Sequence, residues 1–386
     1  MFDKLAPTPI TEKKYRYLMI VAMVWMFTGA WVDSSAHTFL LDEIETFFTP
    51  WHALLYTGYG FVVISAVYVK NKMKDYKFDV GVLGASIFAI GGGSDAIWHT
   101  VLGIETGVEP LISPSHLMLF LGSFLMLDHV FASRPYRETL DAASIFSIGT
   151  IYGLIVFMTQ FINPFLDIDL FFYWDWSDRL AAGSVFFNAM LACIVFVYAI
   201  RFKVSAKSMG AIYLISFLYQ SVFFVLGDLM SMSMLIVYGL GFSLGAIQIT
   251  NWYYKTNHDR KLQIATALIG SLYGLIVVVN ILYWSFSSDV DLVWRFYGLG
   301  FSFGAIQITN WYYKTNHDRK LQIATALIGS LYGLLVVVNI LYWSFSSDVD
   351  LVWRFYGLGG LVTTPLLFGY MVGNLGVSPK TGDVVQ

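Results

Sequence analysis

Charge is scarce in this chain, and that scarcity excludes much of what a protein of this length would ordinarily be. Asp, Glu, Lys and Arg make up 13% of its 386 residues, against roughly 25% in a soluble domain. About half of the charged surface of a water-soluble fold is therefore missing. Cysteine is nearly absent. Cys193 stands alone in an apolar run, which excludes an internal disulfide framework and a cysteine-built zinc or iron–sulfur site. Excess positive charge is absent as well: a net charge of −3 gives no electrostatic reason to expect nucleic acid as a partner. No haem, nucleotide or phosphate-loop signature is present. Gly91-Gly92-Gly93 lacks the context of a phosphate loop and reads as a kink or a close helix contact.

What the chain has in abundance is apolar surface. It is 57% hydrophobic, with 32 Phe, 24 Tyr and 12 Trp, too many to bury in one water-soluble core. The expected fold is all-α, a polytopic integral membrane helical bundle in the cell membrane. A spanning helix needs about 20 mainly apolar residues. Twelve stretches qualify, at 17–32, 51–69, 79–98, 115–133, 142–163, 180–200, 209–228, 233–253, 262–284, 292–312, 321–343 and 351–374. With that count, 20 of the 23 Lys and Arg residues fall on one side, and Arg179, Arg295 and Arg354 on the other, where 16 of the 26 acids lie. Basic loops are retained in the cytoplasm, so both termini are expected there. The first segment also resembles a signal sequence, but cleavage near Ala36 would remove Asp33. An uncleaved first helix is expected.

Residues 1–140 read as a four-helix module and 141–241 as helices five to eight, the eighth continuing into a tandem repeat. Residues 242–300 and 301–359 match at 57 of 59 positions, differing only at Leu244/Phe303 and Ile276/Leu335. Near identity points to a recent duplication or an assembly event. Two spans per copy leave the orientation of the later helices unchanged. Residues 360–386 are the end of the last helix and a cytoplasmic tail. His258 and His317, in the repeated Lys-Thr-Asn-His-Asp-Arg-Lys loop, read as part of a solvated basic loop. Trp174, Trp176 and the two Asn-Trp-Tyr-Tyr segments read as aromatic belts. Asp228 is expected to pair with Arg295 or Arg354, and Asp128-His129 to be interfacial.

The chemistry-bearing residues sit in the first third, at the outer ends of the first four spans. Asp33-Ser-Ser-Ala-His37 is followed by a loop with Asp42, Glu43 and Glu45, then by Thr49-Pro50-Trp51-His52. Asp95-Ala-Ile-Trp98-His99 is followed by a loop with Glu105 and Glu109, then by Ser113-Pro114-Ser115-His116. The same order is written twice: D-x3-H, an acidic loop, then P-x-H opening the next helix. Asp and His four apart share one helix face, and proline fixes the start of the next helix. Each unit thus gathers a carboxylate and two imidazoles, a ligand set suited to copper, iron or zinc. Ionisable groups beside hydrocarbon are costly and tend to be functional. Glu45, Glu105 and Glu109 are candidates to orient the ligands or to act as a base.

These units resemble the metal-binding segments of the C subunit of the particulate methane and ammonia monooxygenases. That subunit carries D-x3-H followed by T-P-x-H, then N/D-x3-H, an acidic pair and P-x-H. The resemblance covers roughly residues 20–135. It implies that Asp33, His37 and His52 form one copper-ligand set and Asp95, His99 and His116 a second, where the family usually has Asn in place of Asp95. The two His-to-His intervals are two and four residues longer than the family's, and residues 140–386 have no counterpart in it. Larger prokaryotic membrane proteins share such paired motifs. The resemblance implies copper-dependent oxidation of a small-molecule substrate, or support of such a complex with other membrane subunits in the lipid bilayer. A zinc-dependent membrane hydrolase, with Glu105 or Glu109 as base, and a membrane transporter are the alternatives.

Overall fold

The computed structural model describes residues 5–40, 47–103, 105, 109–136, 139–166, 177–257 and 261–287. Among them the chain forms ten α-helices, one 3-10 turn at Gln160–Ile162 and no strand. The helices are α1 Lys13–Phe39, α2 Pro50–Met73, α3 Val80–Leu102, α4 Glu109–Ile112, α5 Pro114–Ala132, α6 Ala142–Met158, α7 Ser177–Ile200, α8 Ala206–Val222, α9 Leu229–Lys255 and α10 Lys261–Ser287. Five of them (α1, α2, α3, α5 and α9) are long and apolar enough to cross a membrane. The protein is helical, and its composition suits insertion into a bilayer. The stretches at 292–312, 321–343 and 351–374 lie outside the described residues, as do His258, His317, Arg295, Arg354, Trp174 and Trp176.

One boundary differs from the sequence reading. The break between the seventh and eighth expected spans falls at 223–228, whereas Ser231-Met232-Ser233 lies inside α9. Serine and methionine propagate a helix well enough, while Gly227 is about 1 kcal/mol poorer than alanine in a helix interior. The glycine, not the serines, marks the turn.

Among the described residues two compact units emerge, one from residues up to Ser147 together with Val222–Asp228, the other from Ile148–Ser221 with α9 and α10. In the first unit, α1 packs along α2 and α3 along α5. Glycines set both contacts. A Cβ on Gly29 would lie 2.6 Å from the Leu55 Cα, and one on Gly58 2.6 Å from the Met26 Cα. In the second pair, a Cβ on Gly91 would lie 2.9 Å from the Leu119 nitrogen, and one on Gly122 2.6 Å from the Phe88 nitrogen. These are the same contacts written twice. Met26 and Gly29 correspond to Phe88 and Gly91 at an offset of 62 residues, and Leu55 and Gly58 to Leu119 and Gly122 at 64. Bare backbone lets both helix pairs approach closely.

Arg16, 2% exposed, ties α1 to the far end of the second pair. Its guanidinium bonds both oxygens of Asp141, and donates to the Ser133 and Ser144 hydroxyls. Asp141 also caps α6 by accepting from the Ser144 nitrogen at 2.9 Å. Burial alone would raise the Asp141 carboxyl, but the Arg16 and Ser144 hydrogen bonds hold it below the usual carboxylate range. In the second unit, aromatic rings of Phe165, Phe217, Tyr238, Phe242 and Tyr273 pack edge-on and tilted. There the Cys193 thiol donates to the Thr266 carbonyl.

Candidate metal centre

Each D-x3-H runs on the last turns of one helix of a pair, and each P-x-H opens the other, so two helix pairs deliver two candidate ligand sets. Asp33 and His37 end α1, and His52 lies in the first turn of α2. Asp95 and His99 end α3, and His116 lies in the first turn of α5. Within the first set, Asp33 stands 3.9 Å from His37 Nε2 and 3.6 Å from His52 Nε2. Within the second, Asp95 Oδ1 stands 3.6 Å from His99 Nε2 and 3.4 Å from His116 Nε2. The ring pairs match too: His37–His52 centroids are 5.7 Å apart at 72°, and His99–His116 centroids 6.1 Å apart at 71°.

The two sets form one cluster. The His37 and His99 rings stack 6.0 Å apart, and His52 lies 5.9 Å from His99. Most of these groups are buried, Asp95 being 1% and His52 3% exposed. The ligand-type atoms of Asp33, His37 and His52 lie within 4.8 Å of one another, as do those of Asp95, His99, Glu105 and His116. Buried polar atoms normally carry hydrogen bonds. Here Asp33 Oδ1, His37 Nδ1, His52 Nε2, Asp95 Oδ2 and both ring nitrogens of His99 have none. Metal–nitrogen and metal–oxygen bonds of about 2.1 Å at tetrahedral angles place neighbouring donor atoms about 3.4 Å apart. The 3.4–3.9 Å separations are too long for hydrogen bonds and suit donors around a cation.

Side chains that the motif reading did not single out set the imidazole orientations. Thr49 is the N-cap of α2: its hydroxyl accepts from the His52 backbone nitrogen at 3.1 Å and lies 3.1 Å from His52 Nδ1. Ser113 precedes α5 in the same position, its hydroxyl 2.7 Å from His116 Nδ1. With the ring proton on Nδ1, that nitrogen donates to the oxygen and Nε2 keeps its lone pair toward the carboxylate. The signal is present in the sequence, as a hydroxyl residue three before each histidine, a position favoured for caps. Glu105 Oε2 also lies 3.0 Å from His116 Nδ1, completing a carboxylate–histidine arrangement that fixes the tautomer of metal-binding imidazoles.

The sets are not equivalent. Asp95 accepts from the Ser115 hydroxyl at 3.1 Å, and the buried Tyr56 hydroxyl faces Asp95 and lies in the field of Asp95 and Asp33. Phe47 stacks on His52 at 4.6 Å and, with Tyr56, Tyr59, Phe88, Gly92 and Gly93, lines a cavity of about 260 Å³ beside the cluster. Glu109 begins α4, and Glu45, Asp42 and Glu43 lie outside the described residues. The helix α3 runs unbroken through Gly91-Gly92-Gly93: Gly91 meets α5, Gly92 meets the Tyr56 ring, and a side chain at Gly93 would touch nothing. His129 is buried within the first unit. Set against protein-family models, curated proteins and solved structures, the chain matches none of them.

Proposed function

We propose that the protein is a multi-pass metalloprotein of the cell membrane whose buried cluster holds copper. It serves the oxidation of a small substrate, by itself or in a complex with other membrane subunits. The observation that carries this reading is the set of buried imidazole nitrogens and carboxylate oxygens that converge without hydrogen-bond partners. Twelve spans with both termini in the cytoplasm would put the cluster at the extracytoplasmic face. His37, His52, His99 and His116 are the metal ligands, and Asp33 and Asp95 ligate or orient them. Bound copper would supply redox chemistry at an open coordination position. The chain itself holds the imidazole protons on Nδ1 of His52 and His116, excludes water with the Phe47 ring, and offers the Tyr56 hydroxyl as a buried donor.

Glu105 favours this reading over a zinc hydrolase, because its carboxylate faces His116 Nδ1 at 3.0 Å. A general base must reach a metal-bound water instead. Removing such an orienting carboxylate typically costs 10–100-fold in metal affinity. Glu105→Ala is expected to weaken binding by that factor, measured by competition with a chelator, and Glu105→Gln, which keeps an acceptor, to recover part of it. Wild-type affinity in Glu105→Ala would remove the orienting role.

Metal analysis of the protein as purified in detergent, with no metal added, tests the assignment, because added copper displaces zinc from most nitrogen and oxygen sites. Copper retention is the expected outcome; zinc alone would favour the hydrolase, and no metal would overturn both. Asp95→Asn sharpens the test. The amide keeps an oxygen for Ser115 and the two imidazoles and removes only the charge. It is also the residue the resembled family carries, so copper is expected to stay. A zinc site dependent on the carboxylate charge would weaken.

A further inference from the structure

At the opposite end of the first unit lies a second polar group that the metal cluster does not use. Asp79, fully buried, is the N-cap of α3 and accepts from the Gly81 and Val82 nitrogens. The Lys70 ammonium binds its other oxygen at 2.6 Å and the Lys77 carbonyl at 3.2 Å, leaving one of three ammonium donors open. His129 packs over Gly81, where a Cβ would lie 2.6 Å from the ring. His129 is 9% exposed, and its Nδ1 has no hydrogen-bond partner, standing 3.6 Å from Asp79. Twenty residues of α3 separate Asp79 from His99, or about 30 Å of helix rise.

These three groups close one end of a cavity of about 310 Å³, at the lower bound of ligand sites. Its walls are apolar: Met19 and Met23 from α1, Val62 and Ala66 from α2, Ala85 from α3 and Met126 from α5. It extends along α3 from Asp79 to Ala89, ten residues or about 15 Å. That is half of a roughly 30 Å hydrocarbon core, the depth of one leaflet. The residues at its mouth on α2 and α3, Val67 and Ala89, are exposed, so the cavity opens sideways to where acyl chains lie. Beyond its polar end, Lys72, Lys74 and Lys77 are exposed. Residues 70–79 carry four lysines against Asp75 and Asp79, a net charge of +2.

We infer that this cavity is a binding site for an anionic phospholipid, with one acyl chain among the α1, α2, α3 and α5 side chains and its phosphate at Lys70 and the neighbouring lysines. The apolar walls select a chain, the depth matches a single leaflet, and the basic rim selects the headgroup. Basic pockets beside spanning helices recognise anionic lipids on these grounds.

Native mass spectrometry of the full chain, delipidated in detergent, tests the assignment with phosphatidylglycerol and phosphatidylcholine of matched acyl chains. One phosphatidylglycerol per protein is expected to bind at least tenfold more tightly than phosphatidylcholine. Lys70→Met is expected to cut that preference about fivefold. Ala66→Phe, which fills the cavity and leaves every charge in place, is expected to abolish the tight site for both lipids while thermal unfolding stays cooperative. Equal affinity for the two lipids would overturn the headgroup assignment. An unaffected tight site in Ala66→Phe, or its displacement by millimolar inorganic phosphate, would overturn the chain assignment. If Lys70→Met fails to fold, the Ala66→Phe result and the wild-type preference decide alone.

Discussion

Replacing His99 with alanine is expected to strip the protein of metal, with a loss of affinity beyond 100-fold. Changes to groups that merely orient a ligand already cost 10–100-fold. His99 is the centre of the cluster, its ring lying 5.9–6.1 Å from those of His37, His52 and His116. Its removal therefore damages both ligand sets, whereas His37→Ala and His116→Ala each damage one set directly. The fold is expected to survive. Neither His99 ring nitrogen has a hydrogen-bond partner, so the metal-free protein loses no bond with the side chain and sheds the cost of two unsatisfied buried atoms. Metal content by elemental analysis, beside a thermal unfolding curve of the metal-free protein, separates the two effects. Full occupancy in His99→Ala would show that the imidazoles are structural. His129→Ala, 13 residues from His116 along α5 or about 20 Å of helix rise, is the control and is expected to keep its metal.

Gly122→Ala is expected to be among the most destabilising single methyls in the first unit, beside Gly29→Ala. The added carbon would sit 2.6 Å from the Phe88 nitrogen and 2.7 Å from the Gly84 oxygen. Both are backbone atoms, which cannot turn aside as a side chain can, so α3 and α5 must separate. Overpacking typically costs 1–3 kcal/mol, and contact with backbone on two residues places this one at about 3 kcal/mol. Separation of the helices also carries Asp95 and His99 away from His116, so metal affinity falls with stability. Gly93→Ala is the opposite case on the same helix. Nothing lies within 4 Å of a Cβ there, and alanine gains up to about 1 kcal/mol of helix propensity. Thermal unfolding in detergent should fall for the first and hold or rise for the second. Equal midpoints would mean that backbone contact does not hold α3 against α5.

The candidate ligand residues are legible because their grammar is local. D-x3-H and P-x-H state which residues share a helix face and where a helix begins, and the structure gathers Asp33, His37 and His52 in one group and Asp95, His99 and His116 in another. What is not legible depends on helix crossings. Whether two ligand sets merge is decided by how closely α1–α2 approaches α3–α5, which no spacing encodes. Glu105 is one of three candidate acids, and only the path of its loop directs it to His116 Nδ1. Tyr56 flanks the second histidine of the first motif, but no spacing shows that Gly92, lacking a side chain, lets its ring pack against α3. The break at 223–228 escapes a hydropathy reading because apolar residues run on into it, while the helix does not.

The repeated glycine contacts divide the degrees of freedom of the cluster. Gly29 and Gly58 lock one ligand set onto a rigid pair of helices, and Gly91 and Gly122 lock the other. Distances within a set are then constants of each pair. The distance between sets is a separate variable, governed by side chains between the pairs, such as the Arg16–Asp141 link, and by whatever fills the space between α2 and α3. A small rotation of one pair would leave every Asp–His spacing at its value and change only the His37–His99 and His52–His99 separations. A change at a remote position would therefore alter the spacing between the two sets without disturbing the spacing within either.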